Sequence, residues 1–366
     1  MKNIFHKQHL SDSQIRFLKE NLAVDIKSLF WYYNRHMLFL YRWFPNCRLI
    51  HHWLDFKAYI FINYYIKYIS CLPDYNELLQ DEYREIKLHL ENCGIQIPLH
   101  GVGDVGGWGF FNGSYSSTFG FDRRINVNSG VFFLSHVLCR CLQPYIIEYD
   151  TNEKLPFYFK WHFRKQLKKI VIAHVMQTHS YALTKFFLIP EDDSLLYGIE
   201  NFIVSHELGH AYFESVNSSD WPFKTSPSLK IRNRMDSDEE VRADIFAIHV
   251  LYSLYTENTN QKYLLFGPIF IFLFYSWLVD ANLIKPSAYH PSHEDRWKYL
   301  LCEVQHLAEE YRIYNEFINK LNAVWESNKN KIIKSANSMM EKKCKDQAAL
   351  DRADEILKEF LNSLGE

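Results

Sequence analysis

In "NFIVSHELGHAYFE", Asn201 to Glu214, His206 and His210 stand four residues apart with Glu207 between them. On a helix, residues four apart lie about 40° apart around the axis, so both imidazoles can aim at one ion. Glu207 projects from the adjoining surface, where a carboxylate can take a proton from a water and pass it to a leaving amine. Such a site needs a third ligand and an open coordination position.

The third ligand is expected from "DSDEEVRADIFAIHVL", where Glu240 and Asp244 again stand four apart. Glu240 supplies an oxygen to complete the two histidines. Asp244, one turn on and against an apolar face, accepts the remaining ring N–H of a ligating histidine and fixes its tautomer. The plainer reading is an acidic helix start, since acids favour first turns and Ser237-x-x-Glu240 has the spacing of a capping box. His206, His210 and Glu240 together predict a zinc site.

"HELGH", "EEVRAD" and "HPSHEDR" (His290 to Arg296), in that order, resemble the gluzincin zinc metallopeptidases, and most resemble the bacterial Lit-type phage-exclusion peptidases. The resemblance covers about Asn201 to Arg296. It implies a zincin-like core in which His206, His210 and Glu240 bind Zn2+, Glu207 is the general base and Asp244 supports a ligand. It gives His290 a place at the scissile carbonyl, with His293 as the alternative, and makes Arg296 an ion-pairing residue that holds the box. It further implies cleavage of a protein or peptide substrate, a host translation factor, in a cytoplasmic phage-defence role with a phage-derived trigger. Two other readings are a zinc-stabilised interaction module without catalysis and a membrane-associated peptidase.

These residues need helices to hold them. Residues 1–92 read as an aromatic-rich helical region broken at Phe44-Pro45 and "CLPDYN". Composition then shifts to "GIQIPLHGVGDVGGWGFFNGSYSSTFGF", which reads as short strands and turns, with Gly101 to Phe133 as candidates for a small sheet. In zinc peptidases of the class resembled, the edge of such a sheet receives extended substrate by strand addition. "GVGDVG" (Gly101 to Gly106) matches a dinucleotide-binding pattern but lacks a clear strand before it and a helix after it, so no nucleotide is expected.

The helical period is expected to return near Trp161, with a helix starting near Asp236 and another at Pro291. The fold class is therefore mainly α (α+β), a metallopeptidase core over residues 93–300 with a helical extension over 301–366. The lysine-rich part of that extension reads as a solvated face.

"YLLFGPIFIFLFYSWLV", Tyr263 to Val279, carries no charge; its length and its Gly267-Pro268 interruption favour a buried helix over a membrane span. The 41 basic and 43 acidic residues leave a net charge of -2, which offers no electrostatic case for a nucleic-acid partner. Seven cysteines, odd in number and thinly spread, do not form a disulfide framework. With no signal-like apolar run in "MKNIFHKQHLSDSQ", they point to reduced thiols in a cytoplasmic compartment.

Overall fold

The computed structural model describes residues 75–97, 101–102, 113–118, most of 122–175, and 193–215, 239–255, 263–285, 291–307 and 311–345. Scattered positions within 36–60 and 351–355 are also described. The fold is mainly helical. In chain order the elements are α1 (Tyr75–Asn92), β1 (Gly101–Val102), β2 (Gly113–Thr118), β3 (Asp122–Val127), α2 (Ser129–Thr151) and α3 (Phe157–Val175). They continue with α4 (Asp193–Ser215), α5 (Glu239–Tyr255), α6 (Phe266–Asp280), α7 (His293–Leu307) and α8 (Tyr311–Lys345).

Helix α4 lies at the centre and packs against α1, α2, α5, α6, β2 and β3. Its residues from Gly198 to Gly209 are all buried, so it has no polar face to give to water. Two glycines allow α6 to come close. A Cβ on Gly198 would overlap the Leu264 carbonyl, and one on Gly267 would lie 2.9 Å from the Leu195 oxygen. A third, Gly209, sits inside the motif and faces Ala243 of α5, whose Cα would be 3.1 Å from an added Cβ. The small pair Gly209–Ala243 brings together the two helices that carry the candidate ligands.

The apolar run from Tyr263 forms α6, buried from Phe266 through Tyr275 and again at Trp277 and Leu278. Pro268 falls in its first turn, where a missing N–H breaks no helical hydrogen bond. This is a core helix, as its length and interruption suggest. Among the described residues no helix is long and apolar enough to cross a membrane. Trp277 joins α6 to α8: its ring stacks on Trp325 at 5.3 Å with planes 5° apart, and its Nε1 donates to Asn322 Oδ1 at 2.7 Å.

The three strands form one sheet in the order β1-β3-β2, with β1 parallel and β2 antiparallel to β3. Arg124 of β3 stands opposite Gly101 on one side and Ser116 on the other. The GxGxxG pattern starts inside β1 instead of following it; its remainder lies outside the described residues.

Two boundaries differ from expectation. Residues from Ser129 to Phe133 belong to α2 and not to the sheet, so the helical period returns far ahead of Trp161. The reason is visible in the buried set Val131, Phe132, Ser135, Leu138, Cys139 and Leu142, which recurs with helical spacing. Cys139 and Cys141 both lie buried in α2 as free thiols, and burial raises the pKa of Cys141.

Helix α7 starts two residues after Pro291, at His293. Ser292 caps it: the Asp295 backbone N–H donates to Ser292 Oγ at 3.0 Å, and that hydroxyl donates to the Asp295 carboxylate at 2.6 Å.

Candidate metal centre

Helix α4 presents His206 and His210 on one face, as four-residue spacing requires, and α5 crosses it with Glu240 in its first turn. His206 Nε2 and His210 Nε2 lie 3.1 Å apart. Glu240 reaches both, with Oε2 at 3.5 Å from His206 Nε2 and Oε1 at 3.5 Å from His210 Nε2. These three are the group of potential metal ligands among the described residues.

The opposite side of each imidazole is also occupied by a carboxylate. His206 Nδ1 lies 2.9 Å from Asp244 Oδ1, and His210 Nδ1 lies 3.3 Å from Glu239 Oε1. A ring whose Nδ1–H donates to a carboxylate turns the lone pair of its Nε2 outward. Two such lone pairs and a carboxylate then face one another, an arrangement that repels unless a proton or a cation lies between them. Ligand bonds of about 2.0–2.1 Å in a tetrahedral set place donor atoms roughly 3.3 Å apart. The observed separations of 3.1 and 3.5 Å are close to that spacing.

Without a cation, His206 has its pKa pushed up to about 9. Burial alone would lower it, but hydrogen bonds to Asp244 and Glu240 and the charges of Asp244 and Glu207 outweigh burial. Glu240 is held well below the ordinary carboxylate range: burial opposes this, and the two histidines and Arg296 overcome it.

Asp244 is 1% exposed and is held from two directions. Besides lying 2.9 Å from His206 Nδ1, it takes two hydrogen bonds from Arg296 of α7: Nε to Oδ2 at 2.7 Å and a terminal nitrogen to Oδ1 at 2.6 Å. The other terminal nitrogen of Arg296 lies 3.4 Å from Glu240 Oε2, and its guanidinium sits 4.2 Å above the Phe272 ring of α6. Burial would raise the pKa of Asp244, but Arg296 and His206 keep it lowered. Arg296 thus ties α7 to the ligand helix through a bidentate pair.

Glu207 is buried beside His206, close enough for its charge to raise the pKa of both His206 and Arg296. His290 lies outside the described residues. His293 stands at the first position of α7, its ring packed on Phe272 at 6.1 Å and on Tyr275 at 5.0 Å. Sequence reasoning missed Glu239, hidden in a run of acids, and Phe272, hidden in an apolar run that shows no polar marker. It also missed the buried pair of His249 Nε2 with Glu303 Oε1 at 2.6 Å, which links α5 to α7.

No curated protein and no solved structure matches the chain significantly. Residues 193–317, which include every side chain placed around the ligand group, match the model of the Peptidase U49 family. That match supports a peptidase family for this chain.

Proposed function

We propose that the chain is a zinc-dependent endopeptidase whose metal is held by His206, His210 and Glu240. The observation that supports this most is the convergence of two Nε2 atoms and a carboxylate within 3.5 Å, each imidazole backed by a second carboxylate. When bound, such an ion polarises a peptide carbonyl and acidifies a water. Glu207 takes the proton from the attacking water and delivers it to the leaving nitrogen as the C–N bond breaks. Asp244 keeps the His206 proton on Nδ1, and Arg296 keeps Asp244 ionised and fixed.

The test is zinc per chain in the freshly purified protein, in His206→Ala and in Glu240→Ala. About one zinc, lost in both variants, is the expected result for three protein ligands and an open position. Zinc retained without Glu240, or absent from the unaltered chain, would overturn the assignment.

A host translation factor as substrate and a role in phage exclusion rest on the resemblance of "HELGH", "EEVRAD" and "HPSHEDR" to Lit-type peptidases. Phage plating on cells expressing the intact chain or Glu207→Gln tests that role. Equal plating on both, and on cells lacking the gene, removes it.

A further inference from the structure

The two imidazoles of the site are supported unequally. His206 leans on Asp244, which is buried and clamped by Arg296. His210 leans on Glu239, whose side chain is 68% exposed. Glu239 and Glu240 are consecutive at the start of α5, so their side chains leave the helix about 100° apart. They meet the His210 ring from its two sides: Glu239 Oε1 lies 3.3 Å from Nδ1, and Glu240 Oε1 lies 3.5 Å from Nε2.

We propose that Glu239 is a positioning residue for the metal centre: by accepting the Nδ1–H of His210 it fixes the tautomer that leaves Nε2 to the ion. This rests on the zinc reading given above. One carboxylate of the consecutive pair binds the ion, and the other aims the histidine that binds beside it. Outer carboxylates of this kind hold ring orientation and raise ligand basicity, and losing one typically costs 10–100-fold in metal affinity. Because Glu239 faces solvent, salt screens its pull on His210 and its effect falls at the low end of that range, about tenfold. The competing explanation is local: an acid in a first turn favours the helix through its dipole, and that would alter folding without altering the metal.

Zinc affinity by chelator competition, the absorption spectrum of the cobalt(II)-loaded protein, and the melting temperature of the metal-free protein separate these explanations. Glu239→Ala, Glu239→Gln and the control Glu294→Gln, an exposed first-turn acid of α7, are the variants. Glu239→Ala is expected to weaken zinc binding about tenfold and to change the cobalt spectrum. Glu239→Gln, which keeps an acceptor oxygen, recovers part of the affinity. The melting temperature of metal-free Glu239→Gln should match that of Glu294→Gln. Unchanged zinc affinity and an unchanged cobalt spectrum in Glu239→Ala, with a normal wild-type site, would overturn the role of Glu239 alone. A wild-type chain that binds no zinc overturns the metal reading and this assignment with it.

Discussion

Arg296 grips Asp244 through two parallel hydrogen bonds, 2.7 and 2.6 Å long, across 52 residues of sequence and between two different helices. Both side chains are withdrawn from water, so water cannot replace either charge if the other is removed. Asp244→Ala leaves the guanidinium buried without its bidentate partner, with the more distant Glu240 oxygen and the Phe272 ring beside it. The expected loss is about 3–5 kcal/mol of folding stability, as for breaking a buried pair. Asp244→Asn turns an amide N–H₂ toward either Arg296 or His206, so it also destabilises. Chemical denaturation of the metal-free proteins measures both, and a change for Asp244→Ala within the few tenths expected of a surface site would refute the pairing.

Glu207 is buried next to His206 and lies outside the group formed by His206, His210 and Glu240. Glu207→Gln is therefore expected to retain the metal while peptide hydrolysis falls about 10²–10⁴-fold, the usual contribution of a general base. Metal content and turnover of an unstructured protein substrate, measured on one preparation, check this. Undiminished cleavage would assign the proton to another group.

Helix α4 owes its position to a glycine as much as to its apolar residues. Gly198→Ala forces a methyl group into the Leu264 carbonyl, a backbone atom that cannot swing aside. A cost of about 1–3 kcal/mol or more is expected, together with weaker metal binding, because α4 must move relative to α6. Thermal unfolding and zinc affinity of that variant give the two readings, and wild-type values for both would mean that the helices yield easily.

Glu82 of α1 is 5% exposed and lies near Glu200 of α4. Burial pushes its pKa up to about 8; Glu200 lowers it and the charge of Glu85 raises it. Across the window between its unfolded value and about 8, the folded chain keeps a proton on Glu82 that the unfolded chain has released. Stability contributed by this group is therefore full at acid pH, declines as pH rises through that window, and is level above it. Glu82→Gln is expected to flatten this decline, so its denaturation midpoint rises relative to wild type from about pH 5 to about pH 9. Parallel pH profiles for the two proteins would place the proton elsewhere.

What was legible in the sequence follows the reach of helical periodicity. His206 and His210, or Glu240 and Asp244, are related by one turn of one helix, so their shared face can be read from spacing alone. The mainly helical fold was legible for the same reason. Contacts between helices were expected only for the ligand group, its Asp244 support and the Arg296 ion pair. Nothing in "FGPIFIFLF" says that Phe272 will carry the Arg296 guanidinium, and nothing in the separation of His210 from Glu239 says that they meet. The start of α2 was missed because a glycine-rich stretch ran straight into "SGVFFLSHVL", where apolar residues at helical spacing read equally well as a buried strand.

The near-parallel tryptophans of α6 and α8 have an optical consequence. Two indoles 5.3 Å apart and 5° from parallel, both shielded from water, couple their excited states. Their near-ultraviolet circular dichroism then reports whether the long C-terminal helix is seated. That signal is built into the chain, and it can be followed during metal loading or substrate binding without attaching a dye.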